Sequence, residues 1–252
     1  MSWSKLSKLL VEICGMTWSY QHKRKPKGVG CEIKSVAYAS TNIMLAIEIN
    51  EGKDTMATKK WQKEFDAGTA TTLRLTDTWH GSGRMVCGDS WFASVKTAVA
   101  LMKHGLFFAG VVKTTHTAFP LKLLSAMCPS PKGRFVSATA QRDGIALNAV
   151  AWRDRKVHSF VSTCSLAGDP AKKKRYDDNL KLYFKTVDRP KLVAMYHDGA
   201  PSIDVHNHLR QDGLALEQVW RTDTWHHRVY ASVFGIMETN AYLAFSHFCC
   251  GL

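Results

Sequence analysis

Two aspartates stand where a carboxylate can do chemistry. Asp89 follows the short apolar run Met85-Val86-Cys87 and Gly88, and it precedes Trp91-Phe92 and a helical pattern. Carboxylates at the carboxyl ends of strands sit where open α/β sheets bind ligands. A turn or a helix cap explains an aspartate there equally well. Asp204 opens a second helical pattern, in which Asp204, Asn207, His208 and Gln211 fall at i, i+3, i+4 and i+7 and share one polar face. Its charge complements the helix dipole, which is the plainer account of it. Two carboxylates from distant segments can share Mg²⁺, a hard ion that takes oxygen ligands in octahedral geometry. Two such ions flanking a phosphate stabilise the attacking and leaving oxygens of phosphodiester chemistry.

Charge points to the same class of ligand. Lys and Arg number 34 against 21 Asp and Glu, a net charge of +13. A basic globular protein attracts polyanions, nucleic acid first among them. Lys23, Arg24, Lys25 and Lys27 form a charged connector broken by Pro26 and Gly28. Lys172, Lys173, Lys174 and Arg175 form a second run. That run reads first as a solvated loop, and alternatively as a phosphate-contact or nuclear-import patch. The expected location is the nucleus on the second reading and otherwise the cytoplasm.

Other chemistries are less well supported. The seven cysteines, at 14, 31, 87, 128, 164, 249 and 250, are odd in number and contain no Cys-x-x-Cys pair. That argues against a disulfide framework and for a reducing compartment. Among eleven histidines, His206/His208, His226/His227 and His247 before Cys249-Cys250 lack structural-zinc spacing. An apolar fraction of 45% excludes a disordered chain. The best apolar run, Ala98 to Val112, is interrupted by Lys103, His104 and Gly105, so no membrane span is expected. Glu12 comes too early for a signal-peptide core.

The elements that must position these residues are read from hydrophobic period. Leu6, Leu9, Leu10 and Ile13 predict a short amphipathic helix over 4–13. Cys31 to Ala39 and Ile43 to Ile49 predict a hairpin. Thr69 to Trp79 is a weak helical pattern, because threonine is a poor helix former. Met85–Cys87, a helix over 94–104 ended by Gly105, and Leu106–Val112 make a strand–helix–strand unit, hence a parallel pair. Arg134–Ala140, Ile145–Arg153 and Lys156–Cys164 read as three strands, with Asp143-Gly144 as a hairpin turn. Ser202 is a candidate cap for the helix carrying Asp204. A last helix over 224–248 is apolar nearly all round, the pattern of a buried or interface helix. The expected divisions are an N-terminal helix and connector (1–27), a first core part (28–120), a β-rich insertion (121–189) and a second core part with C-terminal helices (190–252).

Val86-Cys87-Gly88-Asp89-Ser90-Trp91-Phe92-Ala93-Ser94 resembles the Asp-Asn-Trp/Phe-Phe-Thr-Ser block of the piggyBac transposase family. The Leu106–Lys113 strand and Phe119-Pro120 are similar to the strand and loop downstream of that block. Ile203-Asp204-Val205-His206-Asn207-His208 resembles the family's Val-Asp-x-x-Asp-Gln block, and Trp225 and Asn240-Ala241-Tyr242 resemble the helix after it. The resemblance runs from about Gly28 to Phe248. It implies an α/β, RNase H-like mixed-sheet core split by an inserted all-β subdomain, with three aspartates that bind Mg²⁺ to cut and join DNA. Asp89 takes the second position and Asp204 the third.

The departures from that pattern carry as much information. The first aspartate should end the first core strand, and Tyr38 stands there. A phenol ordinarily loses its proton only near pH 10 and is a poor Mg²⁺ ligand. An accessory acidic position of the third block is Asn207, a neutral oxygen donor. Asp89, Asp204 and Asn207 are therefore the candidate metal ligands, with Mg²⁺ affinity expected to be weak or lost. The chain ends at Leu252, where the family has a Cys/His-rich zinc module, so the expectation is a decayed or domesticated core fragment. Three readings are open. The first is a catalytically degenerate transposase-derived core with residual, non-specific DNA affinity. The second is a live Mg²⁺-dependent nuclease or transposase using Asp89 and Asp204, and the third a non-enzymatic interaction module. A homo-oligomer is compatible with all three.

Overall fold

The structure, a computed structural model, describes residues 20–21, 29–112, 118–164, 171–177, 181–213, 215–220 and 224–250. The expected helix over 4–13 and the connector with Lys23, Arg24, Lys25 and Lys27 lie outside them. The chain divides into two compact units, Phe65–Ala200, and Met1–Glu64 with Pro201–Leu252.

The strands, in chain order, are β1 (Tyr20–Gln21), β2 (Val29–Gly30), β3 (Ile33–Ala37), β4 (Met44–Ile49), β5 (Met85–Gly88), β6 (Phe107–Val112), β7 (Phe135–Arg142), β8 (Ile145–Arg153), β9 (Val157–Ser162), β10 (Ala171–Asp177) and β11 (Leu182–Arg189). The helices are α1 (Lys53–Thr58), α2 (Ala67–Leu75), α3 (Val95–Lys103), α4 (Leu121–Met127), α5 (Lys191–Gly199), α6 (Ser202–Asp212), α7 (Leu216–Val219) and α8 (Trp225–Cys249). Among the described residues, no helix is long and apolar enough to cross a membrane.

The unit Phe65–Ala200 is built on a five-stranded mixed sheet of order β5-β6-β9-β8-β7. β5 and β6 are parallel, Met85 opposite Phe107 and Gly88 opposite Gly110, as the crossover helix α3 requires. β6 then pairs antiparallel with β9, from Ala109↔Ser162 to Val112↔Ser159. Strands β7, β8 and β9, which fall in the β-rich segment 121–189, thus lie in the same sheet as β5 and β6. These strands continue the core sheet, because β6 offers an open edge and β8 and β9 are apolar enough to be covered on both faces. Val150, Ala151, Trp152, Phe160 and Val161 are all buried. The Asp143-Gly144 turn does form, with φ of 52° and 74°, the left-handed pair that a two-residue hairpin needs.

Helix α5 closes one face of this sheet. Its Leu192, Val193 and Tyr196 pack with Ala109, Val150, Trp152 and Phe160. The basic run Lys172–Arg175 is not a loop. It is most of β10, paired antiparallel with β11 as a separate two-stranded ribbon, Lys172 opposite Asp188 and Lys174 opposite Thr186.

In the other unit β3 and β4 form the predicted hairpin, Ile33 opposite Ile49 and Ala37 opposite Met44. Helix α6 packs on β3, and α6 and α7 pack on α8. Pro201, not Ser202, precedes α6, and no side chain caps it.

Candidate active site

Asp89 sits one residue beyond β5, at the carboxyl end of a parallel strand, and is exposed. Its Oδ1 accepts from the Trp91 backbone N–H at 2.7 Å. Its backbone carbonyl accepts from Phe92 (3.2 Å) and Ala93 (2.9 Å). The carboxylate thus shapes the turn that leads into α3 and is exposed to solvent.

The turn rests on a buried hydroxyl network. Ser94 Oγ accepts from the Thr97 N–H at 3.0 Å and caps α3. Thr97 Oγ1 donates to the Phe92 carbonyl at 2.8 Å. Thr97 Oγ1 and Thr69 Oγ1 lie 2.9 Å apart, tying α3 to α2. Asp66 Oδ1 caps α2 through the Thr69 N–H at 3.0 Å. A Cβ at Gly68 would lie 2.9 Å from the Trp91 carbonyl, so only glycine lets α2 approach this turn so closely.

Sequence reasoning missed Tyr196. Burial on α5 pushes its phenol up to about 12, with the negative charge of Asp89 and then Cys87 adding to the shift. Burial first, and Asp89 second, favour the protonated phenol. No local signal marked it, because its partner lies over a hundred residues away in sequence.

The other two positions belong to the second unit. Tyr38 follows β3 directly and is 48% exposed. Its N–H donates to the Ile43 carbonyl at 2.8 Å, and its carbonyl accepts from Asn42 at 2.8 Å and Thr41 at 3.3 Å. Ser202 Oγ donates to the carbonyl of Ala39 at 3.5 Å. This brings the first turn of α6, with exposed Asp204, against the turn that begins at Tyr38. Tyr38 and Asp204, 166 apart in number, are gathered in one unit.

Two further residues hold α6 in place. His206 is fully buried. Asn240 of α8 uses Oδ1 to accept from Met44 N–H (2.8 Å) and from His206 Nε2 (3.2 Å), and its Nδ2 donates to the Met44 carbonyl at 2.8 Å. An amide oxygen only accepts, so Nε2 carries the proton. One side chain thus ties β4, α6 and α8 together. Burial lowers the pKa of His206, and the Asn240 hydrogen bond opposes that.

Asn207 is differently engaged. Its Oδ1 accepts from Arg210 Nη2 at 3.3 Å. Arg210 also pairs with Glu217, and burial holds its pKa below the usual arginine value. A Cβ at Gly235 of α8 would lie 3.3 Å from Arg210 Cγ, so the glycine gives this side chain its passage.

A family model described as Transposase IS4 matches residues 10–242. The chain belongs to the piggyBac-type IS4 transposase family. It is also similar to a solved structure described as the cryo-EM structure of piggyBac transposase synaptic complex with hairpin DNA. There the TM-score is 0.66 and the identity 19%, over 91% of this chain and 43% of that one. That likeness shows the fold, an RNase H-like mixed α/β core. No curated protein matches the sequence. The chain spans less than half the length of the piggyBac transposase chain it matches.

Transposases of this family generally use divalent metal. Within the Tyr38 unit the oxygen donors near α6 do not fit such an ion. Asp204 supplies one carboxylate, Tyr38 offers a phenol, and the Asn207 oxygen is taken by a guanidinium. A divalent hard cation wants several anionic or carbonyl oxygens and repels a neighbouring cation. Among the described residues no group of three His, Cys, Asp or Glu is arranged to hold a metal.

Proposed function

We propose that this chain is a transposase-derived core that has lost strand cleavage and keeps weak, sequence-independent affinity for DNA. The observation that carries the reading is Tyr38. It directly follows β3 and opens the turn whose Ala39 carbonyl meets the first turn of α6, where the family resemblance calls for a carboxylate. Replacing an anion with a phenol removes charge from the place where metal ions must gather before they can polarise a phosphodiester. Arg210 beside Asn207 acts in the same direction.

The basic excess supplies the DNA affinity. Lys172 and Lys174, both exposed on β10, are the proposed phosphate contacts within the described residues, and Lys173 and Arg175 share that strand. Lys23, Arg24, Lys25 and Lys27 add to the same charge. Nuclear location is part of this reading, because DNA is the ligand.

The experiment is a Mn²⁺ titration of the wild-type chain and of Tyr38→Asp, read by electron paramagnetic resonance. Wild type should bind Mn²⁺ weakly, and Tyr38→Asp should bind at least about tenfold tighter, since one added close charge is worth more than ~1.4 kcal/mol at an intermediate dielectric. Equal affinities would remove Tyr38 as the lesion.

A further inference from the structure

Strand β7 is an edge of the five-stranded sheet and, among the described residues, pairs with β8 alone. Seven of its eight residues are exposed, and Val136 is half-buried. The two-residue turn Asp143-Gly144 decides which backbone groups face outward. Arg142 and Ile145 flank that turn as a hydrogen-bonded pair, so Val136, Ala138, Ala140 and Arg142 direct their N–H and carbonyl groups to β8. Arg134 continues the same alternation, its carbonyl accepting from the Arg153 N–H at 2.9 Å. Phe135, Ser137, Thr139 and Gln141 therefore aim their backbone groups away from the sheet. Folded proteins blunt such an edge with lysine, proline, a bulge or a covering element. From Val136 to Gln141 this strand has no charge and no proline, and its register with β8 is unbroken. The cations stand at its ends, all exposed: Arg142 at one, and at the other Arg134 with Arg155 and Lys156 of the β8–β9 turn, beside a half-buried Asp154.

We infer that this edge docks an extended segment of a partner protein as a further strand, antiparallel to β7, with β-branched residues along its length and acidic residues at its C-terminal end. Strand addition needs a row of backbone donors and acceptors facing outward, and alternate residues of β7 supply that row. Antiparallel pairing is the slightly more stable order. It carries the C-terminal end of the segment to Arg134, Arg155 and Lys156, where acidic residues meet opposite charge. Ala138 and Ala140 are small, which leaves room beside them for branched side chains. The same charges disfavour a second copy of β7 as the occupant. Antiparallel self-pairing would bring Arg142 of each strand to the Arg134 end of the other, and like charges across strands repel.

The test uses the full chain, freed of nucleic acid, and a fluorescent peptide of sequence Thr-Val-Thr-Val-Thr-Val-Glu-Glu-Glu, read by anisotropy. Saturable binding is expected. Amide exchange followed by NMR should show Ser137, Thr139 and Gln141 gaining protection with the peptide, while Ala138 and Ala140 are protected with and without it. Ser137→Pro removes an outward N–H and leaves the ladder to β8 intact, so it should weaken binding at least about tenfold. Arg155→Glu with Lys156→Glu, outside the ladder, should weaken it at least about threefold. Circular dichroism shows whether each variant is folded. A control peptide with proline in place of each valine keeps the acidic end and cannot pair as a strand, so it should bind at least about tenfold more weakly. Absence of saturable binding to the wild-type chain would overturn the inference. Equal affinity for the control peptide would do the same, because charge alone would then explain binding. Protection gained elsewhere than on β7 would also overturn it.

Discussion

At residue 38 the backbone makes an ordinary turn: the Tyr38 N–H and carbonyl close the connection to β4 through Ile43, Thr41 and Asn42. Nothing in those bonds requires a tyrosine side chain. The side chain is therefore open to replacement, and Tyr38→Asp should fold. His206 is the opposite case, since its ring is buried and bonded to Asn240. Its folded pKa is lowered, so the unfolded chain takes up a proton more readily. The stability tied to the neutral ring is full above the ordinary histidine value near 6.5 and falls as pH drops below it toward the lowered folded value. We expect the melting temperature to fall between pH 7.5 and about 5.5, and His206→Gln to flatten that slope. Thermal melts across the range check this. An unchanged slope in His206→Gln would mean another group controls it.

At the scale of elements, hydrophobic period made much of the fold legible. The β3–β4 hairpin, the β5–α3–β6 crossover and the β7–β8 turn all lie within short stretches of sequence, where pattern and turn chemistry act together. The pairing of β6 with β9 was hidden, because a strand's apolar run does not say which edge it will join. The Lys172–Arg175 strand was hidden as well. Four consecutive cations resemble a solvated loop, and only the partner strand β11 gives them a ladder. The threonines of α2 read as a weak helix, yet Thr69 is part of the hydroxyl network that seats the Asp89 turn. Asp89 and Asp204 were visible as types, whereas Tyr196, Gly68 and Asn240 gain meaning only through partners far away in sequence. Gly68→Ala tests the seat of the turn. Its methyl would press on the Trp91 carbonyl, and overpacking of this kind costs about 1–3 kcal/mol. Chemical denaturation should show that loss, and an unaffected midpoint would mean the turn yields freely.

At the scale of the whole molecule, net charge governs what the protein attracts. The net charge of +13 predicts affinity for any duplex, not for one sequence. Binding to unrelated duplexes of equal length should be alike and should weaken steeply with salt. Lys172→Glu with Lys174→Glu should lower the salt slope by about two, one for each phosphate no longer neutralised. Fluorescence anisotropy at several salt concentrations measures both, and a salt-independent affinity would contradict the electrostatic account.

Loss of strand cleavage is the central claim, and one assay addresses it directly. Duplex DNA is incubated with the purified wild-type chain and Mg²⁺ or Mn²⁺, beside Asp89→Ala, and nicks and hairpins are resolved on a denaturing gel. Removing one hydrogen-bond donor that stabilises the transition state commonly costs about 10²–10³ in rate, and a site that cannot hold its metal loses the charge stabilisation the ion would supply. No cleavage above the Asp89→Ala background is expected with either ion. Metal-dependent cleavage by the wild-type chain, abolished by Asp89→Ala, would contradict it and make Tyr38 part of a working site.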